Sequence, residues 1–221
     1  MKSKKLKIGF LLLLLLLSAV GPILFPLAQA GYGKLSVMAL KYLVPSIILI
    51  FIVLLFIHNL KFSLLKRQII TGILAGFAGT IGLEIVRIIG YKIGWMPGNL
   101  PQLMGVLLLD QFATGPNLTS NLAGWAYHFW NGAAFGIIYS LLTGRGKIWM
   151  GMVFGFLIGV GFMVSPVVKS LGIGIFGLQF KDGYQFIMTV VLAHLAFGAV
   201  LGFLVKKMNK GTPGFPGLLK S

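Results

Sequence analysis

Apolar residues run in blocks of about twenty along this chain. Short stretches between them hold most of the lysine, arginine and proline. A helix needs roughly 20 apolar residues to cross the hydrocarbon core of a bilayer. The runs are continuous rather than alternating, which argues against a membrane β-barrel. The expected fold is therefore all-α: a polytopic transmembrane helical bundle with five or six spans plus a short half-helix.

The first block, Ile8 to Val20, follows Lys2, Lys4, Lys5 and Lys7 and is broken by Gly21-Pro22. Ala28-Gln29-Ala30 comes next. Basic start, apolar middle and A-x-A end are the parts of a signal peptide. Residues 1–30 are thus either a signal peptide or a first transmembrane helix. Further spans are expected at about 42–60, 68–91, 121–142, 148–168 and 184–205. Pro45 falls in the first turn of its span, where proline is tolerated. Ser120 or Thr119 is placed to cap the helix that follows. Residues 102–112 are too short to span and predict a half-helix, and 171–178 read as a Gly-rich loop or re-entrant piece. The tail is rich in Gly, Pro and Lys and is expected to be mobile. The chain divides into 1–30, a second helix in 31–67, a hairpin with the half-helix in 68–144, a second hairpin in 145–207, and a tail, 208–221.

The two hairpins look like tandem copies. His128-Phe-Trp-Asn-Gly132-Ala-Ala-Phe-Gly136 and His194-Leu-Ala-Phe-Gly198-Ala-Val-Leu-Gly202 both read H-x-x-x-G-A-x-x-G. The preceding spans share a weaker pattern, Gly72-x-x-x-Gly76 against Gly151-x-x-x-Gly155-x-x-x-Gly159. Each first helix runs one way and each second returns, so the repeat is parallel, about an axis along the membrane normal. Glycine every fourth residue lines one face and lets backbones approach, a glycine-zipper pattern.

Composition sharpens the class. The chain is 57% hydrophobic and 10% charged, with a formal charge of +16. In a soluble chain that excess would point to nucleic acid; here it follows the topology, so no nucleic-acid partner is expected. With the N-terminus inside, Lys2, Lys4, Lys5, Lys7, Lys61, Lys66, Arg67, Arg145, Lys147, Lys206, Lys207, Lys210 and Lys220 are cytoplasmic. Lys34, Lys41, Lys92, Lys169 and Lys181 fall outside. The bias places both termini in the cytoplasm of a cell (inner) membrane, if the first helix is retained. With no cysteine, disulfides, thiolate sites and cysteine nucleophiles are excluded. G-x-S-x-G, P-loop and Rossmann signatures are also absent.

Polar residues collect at one depth. Glu84 and Arg87 lie near the outer end of the third span, with Thr80 on the same face. His128, Asn131 and His194 lie two to three turns into the returning spans. Asp110 ends the half-helix and could dip toward them. Ionisable groups inside a membrane usually face a cavity or one another, which makes Glu84, Arg87, His128, Asn131, His194 and Asp110 candidate ligand-binding residues. The bland readings are a structural Glu84–Arg87 pair, interhelical histidine bonds and an interfacial Asp110. His58 reads as interfacial, and Asn117-Leu-Thr119 matches a glycosylation sequon.

Three function classes follow. His128, His194 and Glu84 form a 2-His-1-carboxylate set suited to a transition metal, or the two histidines are axial ligands of haem with Arg87 at a propionate. Alternatively the site belongs to a proton-coupled small-solute transporter, for which a homodimer is expected. In the third class the chain is an accessory subunit that binds a membrane-complex partner. The lipid bilayer is a partner in every case.

Overall fold

The computed structural model describes residues 2–215 and Gly217, so Lys220 and the rest of 218–221 lie outside the described residues. The long helices are α1 (Lys2–Gln29), α2 (Leu35–Asn59), α3 (Ser63–Lys92), α4 (Leu100–Leu108), α5 (Leu118–Thr143), α6 (Ile148–Val164) and α8 (Gly183–Met208). A one-turn helix, α7 (Pro166–Ser170), follows α6, and Ile175–Gly177 forms a 3-10 turn. No strand occurs among the described residues. Among them, α1, α2, α3, α6 with α7, and α8 are long and apolar enough to cross a membrane. Helix α5 is equally long, but Asn121, His128, Asn131 and Ser140 make it more polar. It lies at the centre, beside α3.

Helix α1 runs unbroken through Gly21, Pro22 and Pro26, contrary to the break expected at Gly21-Pro22. Proline removes a hydrogen bond from its own helix, and contacts from a neighbouring helix can hold such a stretch in place. Here the Tyr127 hydroxyl on α5 donates to the Gly21 carbonyl at 2.7 Å. Helix α5 is capped by Asn117, not by Ser120 or Thr119. The Asn117 side chain accepts from the Ser120 amide, and Ser120 Oγ accepts from the Asn117 amide, both at 2.9 Å. The fifth span ends at Val164, earlier than the expected 168, because Pro166 has no amide to extend the helix. Helix α2 contains a π turn at Ala39–Leu43.

Glycines set the packing. A Cβ on Gly76 would collide with the Gly132 backbone, and one on Gly72 would lie 2.6 Å from the Ile137 Cα. Sequence numbers rise on α3 as they fall on α5, so the pair is antiparallel and in backbone contact. The second hairpin repeats this arrangement. A Cβ on Gly151 would meet Gly198 and Gly202, and one on Gly155 would meet His194 and Gly198. The two hairpins therefore make the same kind of glycine crossing, one turn out of the register of the weaker sequence match: Gly76 meets Gly132, and Gly151 rather than Gly155 meets Gly198 most closely. Helix α3 also packs antiparallel on α8: Gly79 sits against Phe197 and Gly90 against Thr189. The order of contacts is α6, α8, α3, α5, α1, α2. Helix α7 touches α1, and Ser170 Oγ donates to Gln29 Oε1 at 2.5 Å. This closes the row into a ring at the end that carries α4.

The opposite end, where the termini lie, is held by polar groups. Asn209 Nδ2 donates to Ser140 Oγ at 2.8 Å and to the Gly144 carbonyl at 3.0 Å. Ser140 Oγ in turn donates to the Gln68 carbonyl at 2.8 Å. Gln68 Nε2 reaches the Ser140 and Pro213 carbonyls, each at 3.1 Å. Arg67 bonds the Lys210 carbonyl and the Thr212 hydroxyl. Residues 209–214 are thus tucked against both hairpins, which corrects the expectation of a mobile tail from Lys206 onward. The correction has a simple cause: the partners lie about 70 and 145 positions away in sequence.

These contacts set three expectations for stability. Gly76→Val should lower stability by about 1–3 kcal/mol through overpacking. Gly9→Ala should change it little, since a Cβ there meets no atom within 4 Å among the described residues. Asn209→Ala should cost about 1–3 kcal/mol by stripping partners from buried groups. Thermal unfolding of the detergent-purified protein measures all three; an unchanged midpoint for Gly76→Val or Asn209→Ala would refute the corresponding contact.

Candidate functional site

The glycine crossings place the polar groups. Gly76 meets Gly132 and the Thr80 hydroxyl fills the space beside Gly132. One turn further, Glu84 on α3 comes level with His128 on α5. His128 Nε2 lies 2.9 Å from Glu84 Oε1. Because a carboxylate oxygen accepts, the imidazole donates there. Arg87 holds the same carboxylate with two bonds, Nε to Oε1 at 2.7 Å and Nη2 to Oε2 at 2.6 Å. The guanidinium also lies over the Trp125 ring, 6.0 Å from its centroid. Glu84 and Arg87 are each 5% exposed. So the structural pair expected as one alternative exists, and His128 joins it.

Beside this triad is a cavity of about 360 Å³. Its walls come from Pro22, Phe25 and Pro26 on α1, Thr80, Leu83 and Arg87 on α3, His128, Asn131 and Phe135 on α5, and Ile158, Gly161 and Phe162 on α6. Helix α8 adds Thr189, Ala193, His194 and Phe197, while Met96, Leu100 and Met104 close the α4 end. Apolar side chains dominate, with a few polar groups among them, which is the usual build of a small-molecule site.

The polar groups differ in what they have left to offer. Thr80, Ser165 and Thr189 each donate to a carbonyl three or four residues back, at 3.0, 2.7 and 2.8 Å. His194 Nδ1 lies 2.8 Å from the Val190 carbonyl, and its ring stacks on Phe162 at 6.3 Å. Arg87 Nη1 and Asn131 Oδ1 are buried and have no hydrogen-bond partner among the described residues. Their side chains belong to residues 5% and 8% exposed.

Five of the six sequence candidates therefore gather: Glu84, Arg87 and His128 in the triad, Asn131 and His194 on the cavity wall. Asp110 does not join them. It ends α4 with φ 54° and pairs at 2.7 Å with Lys34, both side chains more than half exposed. Its charge finds solvent and a counter-ion at the rim instead of a buried site. Nor do His128, His194 and Glu84 converge as a metal set. Among the described residues no three His, Cys, Asp or Glu side chains are placed to hold a metal. Both Glu84 oxygens are committed to Arg87 and His128, and His194 turns to its own backbone. The same commitments leave no pair of free axial imidazoles for haem. His58 is exposed, with Nδ1 3.0 Å from Lys66 Nζ, as an interfacial residue would be.

Some site residues were not singled out from sequence. Tyr127 is nearly buried and docks α1 onto α5 through Gly21. Phe25 and the two prolines of α1 line the cavity although that stretch reads as a targeting segment. The available signal for Tyr127 was its place beside His128, on a face where a hydroxyl needs a partner.

A family profile matches residues 66–213, from the start of α3 to the segment tucked under the hairpins. The chain belongs to DUF6789, a family of unknown function. No curated protein and no solved structure matches the chain. The DUF6789 region contains both hairpins, α4, the triad and the C-terminal segment. Helices α1 and α2 precede it, so the α1 wall of the cavity is contributed from outside the matched region.

The triad makes a sharp stability prediction. Glu84→Gln leaves the Arg87 charge buried without a counter-charge and should cost about 3–5 kcal/mol. The double change Glu84→Gln/Arg87→Met removes the orphaned charge and should recover at least half of that loss. A denaturation series on the purified variants measures both. A Glu84→Gln protein as stable as the parent would show that the pair contributes nothing.

Proposed function

We propose that this DUF6789 chain is a multi-pass membrane protein that binds a small amphiphile within the bilayer, in the cavity ringed by α1, α3, α5, α6 and α8. One observation carries the reading: a 360 Å³ space with apolar walls and a local group of buried polar side chains. A wholly apolar guest would leave those polar groups unused, and a wholly polar one would face phenyl and methionine side chains. An amphiphile satisfies both. The excess of Lys and Arg at the termini end supports an orientation with both termini cytoplasmic and the cavity in the outer half. The ligand would then be taken from the outer leaflet or its aqueous side. Transport is the extension of this reading that would require the site to change its exposure.

The test uses the full chain in lipid nanodiscs with radiolabelled 1-dodecanol, dodecanoate and dodecane as probes, against empty nanodiscs. At least one probe should bind saturably, near one per chain. Ala193→Phe and Gly161→Phe each add a ring to the cavity wall and should weaken that binding at least tenfold. If none of the three binds saturably, the cavity is not a ligand site.

A further inference from the structure

This inference rests on the reading of the cavity as an amphiphile site. We propose that the site selects a neutral, hydroxyl-headed amphiphile over an anionic one, through Arg87 Nη1 as donor and Asn131 Oδ1 and His194 Nε2 as acceptors.

The argument is a count of hydrogen-bond capacity. Arg87 Nη1 is a buried donor without a partner among the described residues, and Asn131 Oδ1 is a buried acceptor in the same condition. Both residues line the cavity. His194 supplies a second acceptor by elimination. Its Nδ1 faces the Val190 carbonyl, which can only accept, so Nδ1 carries the proton and Nε2 carries the lone pair of the neutral ring. The Thr80, Ser165 and Thr189 hydroxyls have spent their protons on backbone carbonyls and retain only lone pairs. The wall thus offers few donors, Arg87 Nη1 and the Asn131 amide nitrogen, against a surplus of acceptors. A hydroxyl matches this set: its oxygen accepts from Arg87 and its proton goes to Asn131 or His194. A carboxylate has acceptors alone, so it would meet Arg87 and confront the remaining lone pairs.

Charge argues the same way. The Arg87 cation is already balanced by two bonds to Glu84. An incoming anion would add an uncompensated charge at membrane depth, where desolvation is costly. The ion pair therefore presents Nη1 as a strong donor without presenting a net positive charge.

Size sets the class further. At roughly 30 Å³ per water-sized group, 360 Å³ holds about a dozen non-hydrogen atoms. Medium-chain or short isoprenoid alcohols meet that limit.

The nanodisc assay separates the possibilities at pH 9, where dodecanoate is ionised. 1-Dodecanol should bind at least tenfold more tightly than dodecanoate and than dodecane. Asn131→Leu combined with His194→Phe, which removes both named acceptors, should bring dodecanol and dodecane within about threefold of each other. Dodecanoate binding as tightly as dodecanol would overturn the selectivity while leaving the cavity as an amphiphile site. Dodecane binding as tightly as dodecanol would show that no head group is read, with the same consequence. Failure of all three probes would remove the amphiphile reading itself. The comparison on the unaltered chain decides the matter even where that double variant does not fold.

Discussion

Close approach at glycine between α3 and its two neighbours is the constraint on which the rest depends. Gly72 and Gly76 admit α5 so closely that no side chain fits between, while Gly79 and Gly90 make room for the Phe197 and Thr189 side chains of α8. In a bilayer, lipid tails are as apolar as leucine, so close van der Waals contact at small residues is a main source of helix association. The contact also fixes register. With Gly76 and Thr80 both against Gly132, the turn beyond Thr80 brings residue 84 level with residue 128. The Glu84–His128 bond is thus a consequence of the glycine crossing one turn away, and Arg87 completes it from the same helix at i+3.

The repeat explains why one wall of the cavity is charged and the other is not. The crossings pair Gly76, against Gly132, with Gly151, against Gly198, an offset of 75 residues (76 to 151). By that offset Thr80 corresponds to Gly155, Glu84 to Gly159, which faces His194, and Arg87 to Phe162. The second hairpin therefore has the histidine without the carboxylate. His194 bonds a carbonyl on its own helix and stacks on Phe162. Two copies of one backbone arrangement differ in chemistry: one carries a buried charged triad, the other a histidine and hydroxyls bonded to their own backbone among apolar side chains. A cavity between them is amphiphilic by construction.

This also marks what was legible in the sequence. The spans, the half-helix and the tandem hairpins could be read because length and four-residue glycine spacing are local signals. The gathering of Glu84, Arg87, His128, Asn131 and His194 could be read because intramembrane polar residues at one depth have few places to go. Their division of labour could not. H-x-x-x-G-A-x-x-G looks identical in both copies, and only the facing helix decides whether the histidine meets Glu84 or Gly159. Asp110 misled because a short helix in sequence gives no direction, and its partner Lys34 lies 76 positions away. The C-terminal segment has the composition of a mobile tail, yet Asn209 and Thr212 are buried by partners on α3, on α5 and in the turn that follows α5.

Helix α1 occupies a distinct position in this scheme. The matched family region supplies the repeat, the triad and the segment tucked beneath it, while α1 supplies only a wall. Its hold on the bundle is a mixture of apolar packing, the Tyr127 bond to Gly21, and the Gln29–Ser170 contact that closes the ring. Pro22 and Pro26 each remove one backbone hydrogen bond from α1 in the stretch that faces the cavity. That stretch is consequently the part of the wall least restrained by its own helix. The polar end of the site is fixed by ion pair and glycine contact, and compliance resides in the wall opposite. For the proposed amphiphile, a site built this way would hold the head rigidly and accommodate the apolar body by small shifts of α1.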